Sequence, residues 1–417
     1  MSVCVEPLRW DLARAAAYTA GAAAARAAVE VPLTDADGLI LAAPLVTLTE
    51  LPAFPTCSVD GWAVRGAGPW RVVGRVFAGA VAPALTDDGT CVEIATGAMV
   101  PVGAELILRT EDSTSTPGGP RHLVAGTPRL SPEWREPGEE ARRGEQLLPA
   151  GTAITPGVLG LAASCGYDTL PVRRAPRSAV LVFGDELLTT GTPGAGRVRD
   201  ALGPQIPGWL RRLGAAPLAS TGSTAATGPA GATGPVRDTL DAHVEAIRAA
   251  VESGADLICT TGGTMHGPVD HLHPALAKLG AQYVVNTVAV RPGFPMLLAR
   301  LPGGAFLAGL PGNPQSAVVA LVSLVAPLLA GLTGRSGPVL TEVTLGASIP
   351  GRGDHTHLAL VRRDADGLAY PVSHAGSAML RGLAQAAGFA VVAPGTTGEV
   401  GMRLPLVPLP LLDGERP

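Results

Sequence analysis

The sequence predicts a multi-domain protein in which a doubly wound α/β domain is accompanied by small β-rich domains. The chain has 417 residues, which is enough for two to four domains and a substantial core. From about Ala175 onward, short apolar strands alternate with helical segments, the pattern of a doubly wound and mainly parallel sheet. Two other regions, 51–112 and the segment from Val339 onward, show short strands between glycine and proline turns, which is typical of small β domains.

Composition and charge argue against several classes of protein. The chain is 47% hydrophobic but only 4% aromatic, and much of its apolar content is alanine, so its positive mean hydropathy does not indicate a membrane protein. The longest apolar run, "SAVVALVSLVAPLLAGL", is slightly short for a membrane span and predicts a buried or interface helix. The net charge is −4 without a basic block, which argues against a nucleic-acid partner. Five scattered cysteines and no visible signal peptide favour reduced thiols in the cytoplasm.

The first part of the chain predicts a helical segment followed by short strands and turns. Residues 8–29 have a helix-forming composition, and turn residues then separate short apolar segments. After the β-rich region, Thr155 and Pro156 have the residue types of the N-cap and the first position of another helix.

The α/β region contains a glycine-rich loop, "TTGGTMHGPVD" (260–270), between a predicted strand and a predicted helix. In a doubly wound sheet, ligands bind at the carboxyl ends of the strands, where this loop lies. The backbone at Gly262 and Gly263, together with the helix N-terminus, can hold an anion. The low-complexity segment 220–235 is predicted to be a mobile insertion in this domain.

Acidic residues follow the strands of the same region: Asp185, Glu186, Asp200 and Asp270. A single acid at such a position more often caps helix N–H groups. Taken as a group, the four acids could instead line a pocket for Mg²⁺, which takes one or two carboxylates beside ligand phosphates. Both interpretations remain open from the sequence.

A second strand-to-helix junction lies at "GLPGNPQSA". Asn313 and Pro314 have the residue types of an N-cap and a first helical position, and a helix N-terminus there makes a second anion cradle. Arg291 is predicted at the end of another strand. Its guanidinium suits an oxyanion, although a lone surface arginine is the commoner case.

Eight stretches follow one another along nearly the whole chain: "VPLTDADGLILAAPL", "LPAFPTCSVDGWAVR", "VEIATGAMVPVGAELILRTED", "ARRGEQLLPAGTAI", "FGDELLTTG", "GRVRDALGPQIPGWLRRLGA", "DLICTTGGTMHGPVD" and "GLPGNPQSAVVAL". Together they resemble the molybdopterin molybdenumtransferase family, which includes the corresponding domain of gephyrin-type proteins. The order of all eight supports this fold more strongly than any one of them.

The resemblance implies an elongated homodimer with four domains in each chain. We expect a helical or linker domain (1–45 with 142–171), a β-rich domain (46–141), a molybdopterin-binding α/β domain (172–334) and a C-terminal β domain (335–417). The implied site lies between the α/β domain of one subunit and the β-rich domain of the other. The implied reaction uses adenylylated molybdopterin, molybdate and Mg²⁺, inserts molybdenum into the dithiolene, and releases AMP and molybdenum cofactor.

The resemblance also implies roles for individual residues. The expected catalytic residues are Asp60, Glu186, Asp200 and Asp270, of which Asp200 and Asp270 would hold the metal. The expected substrate-binding residues are Thr96, Gly262, Gly263, Arg291, Asn313 and Ser316, and the glycine loop would hold the phosphate-bearing end of the ligand.

Several polar positions of the family are altered in this chain, whereas the glycines and apolar strands remain. Phe183 stands in place of a small hydroxyl residue, and Phe294 in place of a lysine. The other changes are at Thr56, Cys57, Gln146, Ala201, Leu202, Met265, His266 and Arg291. The sequence therefore leaves two alternatives to an active insertase: a weakened or non-catalytic paralogue that binds pterin, nucleotide or a partner protein, and an enzyme with a changed substrate.

Overall fold

The computed structural model describes residues 6–116, 122–218, 235–265 and 270–411. The chain forms two compact units, one made of residues up to Ala28 together with Arg173 onward, and the other of Val29–Val172. The predicted division into four domains stays a prediction. The helices are α1 (Trp10–Ala23), α2 (Pro156–Ser164), α3 (Leu202–Arg212), α4 (Leu240–Glu252), α5 (Leu272–Lys278), α6 (Pro314–Ala320) and α7 (Ala326–Thr333).

The unit Val29–Val172 is built on a six-stranded sheet, as the alternation of short strands and turns in 51–112 predicts. Helix α2 begins at the predicted position, because the Thr155 side chain accepts a hydrogen bond from the Val158 N–H. The strands of the sheet, in spatial order, are Ser113–Thr116, Leu123–Gly126, Trp70–Val76, Thr90–Ile94, Gly61–Arg65 and Leu106–Arg109. Shorter pairings join Val29–Pro32 and Ile40–Leu41 to Thr169–Arg173, Leu45–Val46 to Gln146–Leu148, and Thr56–Cys57 to Trp134–Arg135.

The larger unit contains the predicted doubly wound sheet. Four of its strands are parallel, and two antiparallel strands extend one edge. Buried residues of α3 and of the α6–α7 segment pack with one set of strand side chains, and those of α4 and α5 with another set. The strands, in spatial order, are Ala216–Pro217, Arg177–Val182, Leu257–Thr261, Phe306–Leu310, Leu297–Arg300 and Gln282–Asn286.

The apolar pattern of "QYVVNTVAV" (282–290) predicts one strand of this sheet, and that prediction is wrong because the structure divides the stretch into two strands. The strand Gln282–Asn286 ends at Thr287, whose φ of +64° turns the chain. Val288–Arg291 then joins a different sheet, where it pairs in parallel with Thr356–Arg363. As a result, Arg291 does end a strand, but a strand of the C-terminal β sheet.

The C-terminal β sheet packs beside the α/β sheet in the same unit. Its central strand, Thr356–Arg363, pairs with Val288–Arg291 on one side and with Gly388–Val392 on the other. The remaining strands are Leu8–Arg9, Arg403–Pro408, Thr341–Thr344 and Ala369–Pro371. A short parallel pair, Leu187–Leu188 with Val198–Arg199, lies outside both large sheets.

The segment Pro314–Thr333 is long and apolar enough to cross a membrane, but its most apolar stretch is completely buried inside the protein. It is the central helix of the larger unit, and a π-helical turn at Leu321–Val325 divides it into α6 and α7. Helix α1 crosses it at two glycines. A Cβ on Gly21 would clash with the Leu328 carbonyl, and a Cβ on Gly331 with the Tyr18 carbonyl, so the two helix backbones touch only because both residues are glycine.

Candidate functional site

The glycine loop begins where the strand Leu257–Thr261 ends. Gly262 and Gly263 have φ of +81° and +65°, values that side chains disfavour. The Gly262 N–H donates to the Leu310 carbonyl at 2.9 Å, and a Cβ on Gly312 would lie 3.7 Å from the Gly262 Cα. The glycine loop and the junction before α6 are therefore direct neighbours at the carboxyl edge of the sheet, as the sequence predicts.

An aromatic and histidine cluster, Phe183, His243 and His271, lies beneath the glycine loop. Phe183 is 4% exposed and its ring stacks on His243 at a centroid distance of 3.8 Å. The edge of His271 approaches His243 at 5.7 Å. A Cβ on Gly263 would lie 3.8 Å from His243 Nε2. Phe183 thus fills the floor of the loop. The family resemblance implies a small hydroxyl residue at this position, facing the ligand.

The protonation of His243 follows from its contacts. Its Nδ1 lies 2.9 Å from the Thr239 carbonyl oxygen, and because a carbonyl only accepts, Nδ1 carries the proton. Burial lowers the pKa of His243, so the ring is neutral near pH 7. Its Nε2 is buried and makes no hydrogen bond in the described part of the chain.

The residues near the loop that differ from the family pattern lie in different environments. Leu202 is buried in the core that α3 forms with the sheet, whereas Met265 is 55% exposed. His266 lies outside the described residues. Cys57, in the other unit, is fully buried, and burial raises the pKa of its thiol.

The acids at the strand ends have unequal roles in the structure. One carboxylate oxygen of Asp200 accepts hydrogen bonds from the N–H groups of Leu202 and Gly203, both at 2.9 Å, so Asp200 caps α3. Glu186 is exposed and Asp270 half-buried. The capping interpretation is therefore correct for Asp200, which still has a second carboxylate oxygen for another partner.

The fit of Mg²⁺ depends on this spare oxygen. Within residues 6–116, 122–218, 235–265 and 270–411, no group of three or more His, Cys, Asp or Glu side chains is arranged to hold a metal ion. Mg²⁺ bound to phosphates needs only one or two carboxylates from the protein. A single carboxylate oxygen such as Asp200 Oδ2 is compatible with that arrangement.

A second site is a cavity of about 880 Å³ between the α6 junction and the C-terminal β sheet. Three residues singled out from the sequence, Arg291, Asn313 and Ser316, line it together. Phe294 lines it as well, with the Arg291 guanidinium 5.2 Å from its ring centroid and His355 5.7 Å away edge to face. Among the described residues that line this cavity, which we call the arginine cavity, none is a carboxylate.

Sequence reasoning missed the residues that complete the arginine cavity. Arg352 and Ser377 line it from the C-terminal domain, and the Ser377 hydroxyl accepts a long hydrogen bond, 3.4 Å, from the Asn313 side chain. Pairing of Val290 with Thr356 brings these distant segments together. No local sequence signal identifies that pairing. It depends on Val288–Arg291, whose apolar pattern alone would place it in the α/β sheet.

In the unit Val29–Val172, two of the predicted site residues, Asp60 and Thr96, touch each other. The Thr96 backbone N–H and hydroxyl donate to the same Asp60 carboxylate oxygen at 2.7 and 2.8 Å. These hydrogen bonds hold the pKa of Asp60 below its usual value. Asp60 is exposed and is therefore an ionised surface carboxylate at neutral pH.

Comparisons with known proteins match all the main regions of the chain. Residues 10–166 match the MoeA N-terminal region (domain I and II), residues 179–331 match a probable molybdopterin binding domain, and residues 342–409 match the MoeA C-terminal region (domain IV).

Three curated relatives carry the name molybdopterin molybdenumtransferase. The protein of Synechococcus elongatus is 32% identical over 72% of this chain and 74% of its own length. That of Haemophilus influenzae is 30% identical over 73% of this chain and 72% of its own. That of Bacillus subtilis is 29% identical over 88% of this chain and 86% of its own.

A solved structure shares the fold. The crystal structure of a molybdopterin biosynthesis protein from Pyrococcus horikoshii covers 97% of this chain and 99% of its own, with a TM-score of 0.78 and 22% identity. At that identity the likeness concerns the fold alone. It confirms the multi-domain architecture of α/β and small β domains that the sequence predicts.

Proposed function

The chain belongs to the molybdopterin molybdenumtransferase family, and on that premise we propose that it inserts molybdenum into adenylylated molybdopterin during molybdenum cofactor biosynthesis and releases AMP. The observation that carries the proposal is the pairing of two different anion sites in one unit. The glycine loop offers a backbone without side chains at Gly262 and Gly263, where the Gly262 N–H itself is bonded to the Leu310 carbonyl, and the arginine cavity offers guanidinium groups with no carboxylate among its described lining residues.

The glycine loop suits the phosphate-bearing end of the ligand. Gly262 and Gly263 have no side chains and adopt positive φ angles, so a phosphate can approach the backbone closely at this point. Phe183 and His243 support the loop from below and keep water out of its floor. In this proposal the loop binds through its backbone, so the loss of polar side chains around it weakens binding without abolishing it.

The arginine cavity suits molybdate, which is a substrate and a dianion. Arg291 and Arg352 supply positive charge, and the hydroxyls of Ser316 and Ser377 can donate hydrogen bonds. The volume of about 880 Å³ exceeds what one tetrahedral oxyanion needs, so part of a larger ligand can enter beside it.

We assign the metal-dependent step to the acids at the sheet edge. Mg²⁺ would be held by Asp200 Oδ2 and Asp270 with the ligand phosphates, where it would neutralise charge on the phosphoryl group. Glu186 would orient water or a ligand group at the same edge. Asp60, fixed by Thr96, would contribute an ionised carboxylate.

The direct test is AMP release by the purified full-length protein. Adenylylated molybdopterin and Mg²⁺ are supplied with and without molybdate, and AMP is measured by chromatography. We expect AMP release that requires molybdate and stops when Mg²⁺ is chelated. Tight binding of the pterin nucleotide without any AMP release would contradict the proposed turnover and indicate the non-catalytic paralogue instead.

We also propose that the protein is a homodimer and acts in the cytoplasm. The four cysteines among the described residues are buried and free of disulfides, which suits a reducing compartment. Light scattering at micromolar concentration should give twice the mass of the chain. A monomer under those conditions would remove the two-chain site that the family resemblance implies.

A further inference from the structure

A second cavity, of about 240 Å³, lies away from both anion sites, between α1, the π-helical turn and the C-terminal strand. Three arginines line it: Arg14, Arg212 and Arg335. No carboxylate is present among the described residues that line it. Partly buried guanidinium groups such as those of Arg14 and Arg335 are costly without a neighbouring negative charge, which an anion in the cavity would supply.

Arg14 is held in place by neutral groups. Its two terminal nitrogens donate to the Val322 carbonyl at 2.7 Å and the Pro338 carbonyl at 3.0 Å, and its guanidinium lies 5.0 Å from the Trp10 ring centroid. Burial lowers the pKa of Arg14 to about 10, and it remains protonated at neutral pH. Its position is thus fixed, but no acid among the described residues compensates its charge.

Arg335 is in the same condition. It donates to the Thr333 hydroxyl at 3.1 Å and to the Leu213 carbonyl at 2.8 Å, and burial lowers its pKa as well. A guanidinium has five N–H groups, and these contacts account for two hydrogen bonds on each arginine. Donors therefore remain on both side chains for a ligand in the cavity.

The other walls of the cavity are apolar. Val339, Leu340, Val407 and Leu409 line it, and Val339 is 78% exposed at its rim. An internal cavity of about 150 Å³ is enough to hold benzene, so 240 Å³ has room for one ring or short chain with an anionic group.

We propose that this cavity is a binding site for a small amphipathic carboxylate, whose anionic group pairs with Arg14 and Arg335 and whose apolar body packs on Val339, Leu340 and Val407. The site is separate from the proposed reaction and does not depend on it. Arginine favours carboxylates because its fork matches their two oxygens. The alternative is that both arginines only tie helix ends to neighbouring segments, in which case no anion is needed.

The test compares 4-fluorobenzoate with 4-fluorobenzamide, a neutral molecule of nearly the same shape, by ¹⁹F NMR on the full-length protein. We expect the carboxylate to bind at least about tenfold more tightly than the amide, since one charge-assisted hydrogen bond is worth about ten- to a hundredfold. Arg14→Gln and Arg335→Gln should each lower carboxylate affinity by about tenfold or more. Arg363→Gln, at an exposed arginine of the same unit, is the matched control and should change nothing.

Because Arg14→Gln and Arg335→Gln can also weaken the fold, Val339→Glu provides a second test. Val339 is exposed, so the substitution spares the core while placing a carboxylate at the cavity rim, and 4-fluorobenzoate binding should fall by about tenfold or more. The proposal is overturned if the wild type does not bind the carboxylate, or binds the amide equally well. Unchanged carboxylate binding in Val339→Glu would overturn it as well.

Discussion

The glycine loop and the arginine cavity lie in the same unit, but they obtain their binding groups in different ways. The loop has kept its glycines, while the side chains beneath it, such as Phe183, have become part of the core. The arginine cavity takes side chains from the junction before α6 and from the C-terminal β sheet, and it presents Arg291, Arg352 and two serines. One site therefore relies on backbone geometry, and the other on side-chain charge.

This difference changes how the altered residues are interpreted. At the loop, Leu202 and Phe183 are buried, so their replacement of polar residues is explained by packing. At the arginine cavity, Phe294 lines the space that an oxyanion would occupy, so its replacement of a lysine bears directly on the ligand. Substitutions should therefore affect the two sites separately.

The largest effect is expected from Asp200→Asn and Asp270→Asn. Asparagine caps helices as well as aspartate does, so Asp200→Asn should keep the fold and remove only the negative charge. We expect Mg²⁺-dependent AMP release to fall by roughly a hundredfold, measured by chromatography at saturating substrate. Molybdate affinity in the arginine cavity should stay unchanged. If both variants release AMP at the wild-type rate with normal melting temperatures, the two acids serve as caps only.

Arg291→Gln should produce the next largest effect, on the arginine cavity alone. Loss of one charge-assisted contact should weaken molybdate binding by about ten- to a hundredfold, as measured by calorimetry. AMP binding at the glycine loop serves as the internal control and should not change. An equal loss at both sites would mean that the two sites are one continuous pocket.

Much of this difference could be predicted from the sequence, because it rests on local patterns. The alternation of strands and helices, the Asn313–Pro314 helix start and the glycine loop are all where the sequence places them. The arginine cavity could not be predicted in full. Arg352 and Ser377 reach it only because Val288–Arg291 leaves the α/β sheet after Thr287, and a periodic apolar pattern does not report which sheet a strand joins.

The interior of the glycine loop was unpredictable for a related reason. Phe183 is read in the sequence as a replacement at a ligand-facing position, but its ring turns inward onto His243, 60 residues further along the chain. Stacking between distant residues leaves no local signal. The two hydrogen bonds from Thr96 to Asp60, one from the backbone N–H and one from the hydroxyl, likewise leave no local signal in the sequence.

Phe294→Lys should produce a smaller effect, and in the opposite direction. A lysine there would add a cation to the arginine cavity, and molybdate affinity should rise by about tenfold, the lower end of the range for one charged contact, because Arg291 lies close by and repels it. Phe294→Met, which loses the ring without adding charge, is the control. A lower melting temperature without a gain in affinity would show that Phe294 serves to pack against His355.

The smallest effect is expected at His243, and it tests whether the loop depends on the core beneath it. Burial lowers the pKa of His243, so the unfolded chain takes up a proton at a higher pH than the folded protein does. The neutral ring therefore contributes stability above about pH 6.5, the ordinary histidine value, and this contribution is lost as the pH falls through the lower pKa of the folded state.

His243→Phe removes this titration and keeps an aromatic ring against Phe183. Thermal melts between about pH 7.5 and pH 5.5 should therefore show a smaller loss of melting temperature in the variant than in the wild type. Some slope remains, because burial also lowers the pKa of His357. Molybdate affinity should be the same in the variant and the wild type. A slope in His243→Phe as steep as that of the wild type would mean that the cluster beneath the loop does not titrate within this range.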